Sequence, residues 1–195
     1  MKSCSLAKYR RKPADHRRKS FAAVSRAAFA ALMCGAFVSA PAHAEFTLKA
    51  AQIMGRVLGF MDHPPSAQIN LGLVYDPAAA ASKKQAENLL GQLGSGYKAG
   101  NFTLIPKLVK IGDVSSASVN VFVLMDGVGG AAKMADVIKA KKIPCFTGDI
   151  AQVNSGACLV GIATDPKVEI VFNRGLAAAS GISFGSAFHM MISEI

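Results

Sequence analysis

The chain has 195 residues, of which 51% are hydrophobic, and it carries 22 Lys and Arg against 12 Asp and Glu for a formal net charge of +10. This composition excludes a disordered chain and a collagen-like chain, and four cysteines in 195 residues exclude a disulfide-dense miniprotein. The charge is uneven: residues 1–44 hold nine basic residues and one acidic residue (+8), which leaves 13 basic and 11 acidic residues (+2) for residues 45–195. The basic excess therefore belongs to the N-terminal segment, and nucleic-acid binding by the rest of the chain is not expected.

Residues 1–44 have the three parts of a secretory signal peptide. The basic stretch is followed by an apolar run over residues 27–40, and these 14 residues are fewer than the roughly 20 that a membrane-spanning helix needs. Pro41-Ala42-His43-Ala44 then supplies an A-x-A cleavage pattern. We predict cleavage after Ala44 and a single periplasmic domain over residues 45–195. Both the general and the twin-arginine export routes stay open.

The rest of the chain alternates between helical and strand-like patterns. A helix is predicted where apolar residues recur at three- and four-residue spacing, and a strand where a short apolar run is bounded by Gly, Pro, Asp or Asn. The predicted elements, in order, are a helix over 46–60, a strand over 69–75, a helix over 78–93, strands over 102–111 and 119–125, a helix over 131–141, strands over 143–146, 158–162 and 168–172, a helix over 173–179, and a C-terminal helix over 186–195 packed by Phe188, Met191 and Ile192.

This alternation predicts the α/β class: a three-layer, doubly wound sandwich whose sheet is mostly parallel, with an antiparallel hairpin at one edge formed by residues 158–172. Residues 119–125 are apolar on both faces, which is typical of a central strand. Asp76-Pro77 is typical of an N-cap and first helical position, and Asn173 and Gly181 are typical of the two ends of a short helix. Pro106 favours an edge position for its strand.

Cys145 and Cys158 are the only cysteines after residue 44. An exported protein with two cysteines usually pairs them, and closing this loop would stabilise the fold by about 3 kcal/mol. The simplest arrangement is two strands joined by a turn over residues 147–156; two buried free thiols are the alternative. A metal site is not expected, because His63 and His189 are far apart in sequence and no closely spaced ligands accompany the cysteines.

Three predicted strands are followed directly by polar or glycine residues. In an open α/β sheet the carboxyl ends of the strands line the ligand crevice, so these residues form a candidate site for a cationic or hydroxyl-rich small molecule. The alternative is that the acids only cap helices. The candidate residues are Tyr75, Asp76, Asp126, Gly127, Gly129, Thr147 and Asp149.

Two short motifs bear on enzymatic function. Residues 127–132 match G-x-G-x-x-A between a strand and a helix, which leaves open nicotinamide binding, anion binding at a helix N-terminus, and a purely structural tight turn. Residues 181–185 match G-x-S-x-G, but the acid Glu194 follows His189, the reverse of the order that a nucleophile elbow needs. We therefore expect no enzymatic activity and no cofactor.

The C-terminal half resembles the YfiR-like family of periplasmic proteins. Residues 143–188 read IPCFTGDIAQVNSGACLVGIATDPKVEIVFNRGLAAASGISFGSAF. Within them, Val171-Phe172-Asn173 matches the family's strand end, and Ser180-Gly181-Ile182 matches the end of its Ala-rich helix. Ser183 and Ser186 match its final segment. The chain departs from the family at residues 61–65, where MDHPP replaces the usual Trp-Pro.

The resemblance implies a non-enzymatic regulator that binds the periplasmic part of a membrane-anchored signalling protein, such as a diguanylate cyclase or a sensor kinase. It also implies that the state of the Cys145–Cys158 pair can influence this binding. The first helix and the loop at His63-Pro64-Pro65 are the expected contacts. The alternative function is a periplasmic solute-binding module that holds a small-molecule ligand at the strand ends, and a homodimer remains open.

Overall fold

A computed structural model describes residues 45–195, so the predicted signal peptide and its cleavage site lie outside the described residues. Helices and strands alternate along most of this length, as the sequence pattern predicts. The helices are α1 Leu48–Leu58, α2 Ala80–Leu93, α3 Ala132–Lys141, α4 Ile150–Asn154, α5 Arg174–Ser180 and α6 Ser186–His189. The strands are β1 Gln68–Tyr75, β2 Tyr97–Ala99, β3 Phe102–Lys110, β4 Val121–Leu124, β5 Cys145–Thr147, β6 Val160–Ala163, β7 Glu169–Phe172 and β8 Ser193–Glu194.

The strands form one sheet of eight with the order β2-β3-β1-β4-β5-β6-β7-β8. All neighbouring pairs are parallel except β2–β3 and β6–β7. The chain moves from β1 to β3 in one direction and then from β4 to β6 in the other, so right-handed crossovers place α2 on one face and α3 on the opposite face. The predicted doubly wound α/β sandwich with a mostly parallel sheet and an antiparallel hairpin is confirmed.

The centre of the sheet is buried on both faces. Every residue of β4 is buried, and so are residues 71–75 of β1 beside it. Helix α1 adds buried small and apolar residues, among them Met54 and Leu58. Among residues 45–195, no helix is long and apolar enough to cross a membrane.

Three helices begin at capping residues. Thr47, Asp149 and Asn173 accept a hydrogen bond from the first turn of α1, α4 and α5 respectively. Gly181 ends α5 in the left-handed conformation with φ 67°. The predicted start of α2 at Asp76-Pro77 is wrong, because residues 76–79 form a separate turn closed by a bond from the Ala79 amide to the Asp76 carbonyl, and the helix begins at Ala80.

The edges of the sheet differ from the prediction. The three-residue strand β2, which the sequence pattern did not indicate, pairs with residues 102–104 of β3 and covers that end of the strand. Pro106 lies beyond this pairing, where β3 is bonded only to β1. A strand can accept a proline where no neighbour needs its N–H group, so β3 is an inner strand at one end and an edge strand at the other.

The predicted C-terminal helix over 186–195 is wrong after its first turn. Helix α6 stops at His189, and Ser193–Glu194 forms β8, which pairs in parallel with β7 and takes the edge position beside the hairpin. His189 contacts both the Glu194 carboxylate and the Phe184 carbonyl. These contacts fix the turn between α6 and β8.

Candidate functional site

The predicted residues that follow β1 and β4 lie where the strand order changes direction. Tyr75 ends β1 and Asp76 comes next, while Asp126 and Gly127 follow β4. The Met125 amide donates to the Val74 carbonyl between the two strand ends. This is the position at which open α/β sheets bind ligands. The structure therefore brings these two sets together, as the sequence predicts.

The polar groups at this position bond to one another and to their own chain. The Asp76 carboxylate accepts from the Ala78 amide through Oδ1 (2.8 Å) and from the Gly129 amide through Oδ2 (3.0 Å). A Cβ atom at Gly129 would lie 2.8 Å from that same oxygen, so a larger residue there would displace the Asp76 carboxylate. The amide that an incoming anion would use at Gly129 is thus already bonded to a carboxylate.

Asp126 and Thr147 have partners on neighbouring helices. The side chain of Gln85 in α2 donates to the Asp126 carboxylate (3.4 Å) and accepts from the Asp126 amide (3.1 Å). Thr147 donates to the Gln152 side chain (2.6 Å), whose amide nitrogen donates to the Met125 carbonyl (2.9 Å). Among residues 45–195, no buried side-chain nitrogen or oxygen lacks a hydrogen-bond partner.

Asp149 has the capping role that the alternative hypothesis gave it. Its carboxylate accepts from the Ala151 amide (2.8 Å) at the start of α4. The strand ends are consequently tied together by structural hydrogen bonds, which a ligand at this position would have to meet or replace.

Cys145 and Cys158 form a disulfide, with Cα atoms 5.0 Å apart, as predicted. Both side chains are fully buried. The predicted turn between two strands is wrong, however: the connection contains helix α4, and β5 and β6 run in parallel. The bond joins the start of β5 to the segment entering β6.

A second concave surface lies away from the strand ends, beside α1. This groove has a volume of about 530 Å³, within the usual size of a binding site. Helix α1 forms one wall. The other wall consists of residues 168–170, at the start of β7, and of the C-terminal segment, residues 188–195. We call this surface the α1 groove, and its lining residues are Lys49, Gln52, Ile53, Arg56, Val57, Phe60, Val168, Ile170, Phe188, Met191 and Ile192.

The α1 groove has an apolar floor and a basic rim. Phe188 is buried at the floor, with its ring stacked on Phe184 at 4.6 Å and edge-on to Phe172 at 5.5 Å. Lys49 and Arg56 are exposed, and the lining, drawn from residues 45–195, contains no acidic side chain.

Exposed apolar side chains concentrate next to this groove. Of the five large hydrophobic residues that are exposed in residues 45–195, Val168 (47%) and Met191 (59%) line the groove, and Met190 (81%) and Ile195 (51%) belong to the same C-terminal segment. Exposed apolar surface in residues 45–195 is therefore found mainly in the groove and in the C-terminal residues beside it.

Sequence reasoning found only part of this surface. The first helix was predicted as a contact and lines the groove, whereas the loop at His63-Pro64-Pro65 does not. Met191 was predicted to pack the final helix against the core, and it is exposed, as is its neighbour Met190. The apolar run at residues 190–192 is visible in the sequence. We assigned it to the core because we predicted one long final helix whose apolar side would face inward.

Comparison with protein-family models gives no match for this chain, and comparison with curated protein sequences gives none either. Solved structures do match its fold. A conserved domain protein from Vibrio cholerae O1 biovar El Tor is 16% identical with a TM-score of 0.53, and 75% of this chain is covered. An ABC domain from Streptococcus pneumoniae, solved in complex with L-Trp, is 14% identical with a TM-score of 0.50, and 74% of this chain is covered. The chain spans only 58% and 59% of the lengths of these two structures. At this identity the likeness shows the fold alone.

Proposed function

We propose that this protein is a non-enzymatic, exported regulator that binds the periplasmic part of a membrane-anchored signalling protein through the α1 groove. The observation that carries the proposal is the apolar groove bordered by exposed Val168 and Met191. Interfaces depend on a few apolar anchors that enter such a desolvated depression.

Three further features support the proposal. The buried disulfide fits an oxidising compartment, and residues 1–44 have the pattern of a secretory signal. The resemblance of the C-terminal half to the YfiR-like proteins supplies the class of partner. The strand-end polar groups, which an enzyme or a solute site would use, are occupied by hydrogen bonds within the chain.

Replacing Met191 by Glu is expected to weaken partner binding without unfolding the protein. Met191 is 59% exposed, so the charge costs little in the free protein, but in the complex it would be desolvated against an apolar anchor of the partner. We expect recovery of the partner in a pull-down from solubilised membranes to fall about tenfold, the effect of losing one strong interface anchor.

Leu108→Glu is the matched control, because Leu108 is also an exposed apolar residue (38%) but lies on β3, outside the lining of the groove. It should leave recovery unchanged. Equal recovery with the Met191→Glu protein and the unmodified protein, at equal melting temperature, would show that the groove is not the contact surface.

The second candidate function is solute binding at the strand ends. Two observations favour it: the residues Asp76 and Asp126 lie at the point where the strand order changes direction, and one structure of similar fold was solved with L-Trp. A ligand here would replace some of the hydrogen bonds that Gln85 and Gly129 now make.

A thermal-shift screen against amino acids and other small metabolites tests this second function. A true ligand at a hundred times its Kd adds about 2.7 kcal/mol of stability, which is a rise in melting temperature of about 5–10 °C for a domain of this size. Asp126→Ala should remove the shift, measured against the same variant without ligand. No shift across the screen would rule out solute binding for the compounds tested and leave the regulator as the sole proposal.

A further inference from the structure

We infer that the α1 groove receives an amphipathic helix of the partner that carries two acidic side chains about seven residues apart. This inference rests on the proposed function and names the part of the partner that is bound.

The wall formed by α1 is long enough to contact a helix of about three turns. The lining residues of α1 and the turn after it, Lys49, Gln52, Ile53, Arg56 and Phe60, are spaced at three or four residues and so form one stripe along the helix. Eleven residues at 1.5 Å each make a wall about 16 Å long, or three helical turns. A helix laid against such a wall would insert apolar residues at positions i, i+3 or i+4, and i+7.

The two cations on the α1 stripe indicate where acidic residues would lie on the partner's helix. Lys49 and Arg56 lie seven residues apart, which is two turns or about 10 Å along the axis. The Lys49 Nζ atom donates to the Thr164 carbonyl at 3.4 Å, so the ammonium group lies beside the segment between β6 and β7. The lining contains no acid, so an occupant that carries two anions at the same spacing would complement both cations.

The other wall suits a helix with varied apolar side chains. Met191 is exposed and unbranched, and methionine adapts its shape to different partners in helix-binding grooves. Val168 supplies a second exposed apolar contact at the start of β7. Met191 and Val168 can therefore both contact the apolar side of a bound helix.

Other occupants fit the charge pattern less well. In a symmetric dimer built on this face, Lys49 and Arg56 of the two copies would approach one another and repel. A small molecule with a single carboxylate would meet one of the two cations and leave the other, about 10 Å away, unpaired. A helix satisfies both.

A photo-crosslinking residue at position 52 in the full chain, expressed in the cells that make the protein, tests the inference. Gln52 is exposed and lies between the two cations of the stripe, and Asn88, exposed on α2 and outside the groove, is the control position. We expect position 52 to crosslink a segment with apolar residues at helical spacing and acids seven residues apart, and position 88 not to crosslink that segment.

A synthetic peptide of the captured segment then tests the charges. Lys49→Glu/Arg56→Glu should weaken binding of the peptide about tenfold, since two attractive pairs become repulsive. A peptide with Lys in place of the two acids should bind this variant and not the unmodified protein. The control variant Lys84→Glu/Lys98→Glu makes the same change in net charge at exposed residues outside the groove and should bind as the unmodified protein does.

Three results would overturn the inference: crosslinking to a second copy of this chain, crosslinking to a segment without paired acids, or crosslinking to no polypeptide. If Met191→Glu still blocks recovery of the partner in these cases, the proposed function stands and only the helical occupant is wrong. If Met191→Glu has no effect, the proposed function itself fails.

Discussion

Replacing Cys145 and Cys158 together by Ala should lower the free energy of unfolding by about 3 kcal/mol. The bond closes a loop with a sequence separation of 13 residues. Without it the unfolded chain has more conformational entropy, which stabilises the unfolded state by about 3 kcal/mol. Both positions are fully buried, so Ala is preferred to Ser, whose hydroxyl would need a hydrogen-bond partner there. For a domain of this size the melting temperature should fall by about 6–12 °C.

Chemical denaturation of the unmodified protein and the double variant, each with and without a thiol reductant, measures the effect. The reductant should lower the stability of the unmodified protein to that of the variant and leave the variant unchanged. Mass spectrometry after thiol alkylation provides the independent check. Alkylation of Cys145 and Cys158 in protein kept without reductant would contradict the bond.

The sequence is a good guide to those parts of the fold that local patterns determine. The central strand β4 is recognisable because residues 119–125 are apolar on both faces, and α5 is bounded by a capping Asn173 and a left-handed Gly181. The short elements β2, α4 and β8 have two to five residues each. At that length no periodicity can develop, and their conformation depends on what they pack against.

In the candidate sites, too, features set by local sequence could be predicted, and features set by tertiary packing could not. The acids at the strand ends could be placed from sequence, because a strand followed by Asp is a local pattern. Their hydrogen-bond partners could not be predicted, since Gln85 is 41 residues from Asp126 and is brought to it only by the packing of α2. The α1 groove likewise joins residues near 50, 170 and 190, and its apolar C-terminal residues are exposed only because α6 ends at His189.

Gly55→Ala is expected to destabilise the protein by about 1–2 kcal/mol, although alanine is the better helix former. Gly55 lies in α1, where a Cβ atom would lie 2.4 Å from the Ala99 carbonyl oxygen and 2.7 Å from the Ala99 Cβ. These are atoms of β2 that cannot rotate away, so α1 would have to move from the sheet. Overpacking costs about 1–3 kcal/mol or more and outweighs the roughly 1 kcal/mol that alanine gains in a helix. Thermal and chemical denaturation measure the change.

Gly91→Ala is the matched control and should have the opposite sign. Gly91 also lies in a helix, α2, but a Cβ atom there would meet nothing within 4 Å. The substitution should therefore raise the free energy of unfolding by about 0.5–1 kcal/mol through helix propensity alone. If Gly55→Ala stabilised the protein as much as Gly91→Ala, α1 would not pack closely on β2. Since α1 forms one wall of the groove, a shift of this helix in the Gly55→Ala protein should also weaken partner binding, whereas Gly91→Ala should leave it unchanged.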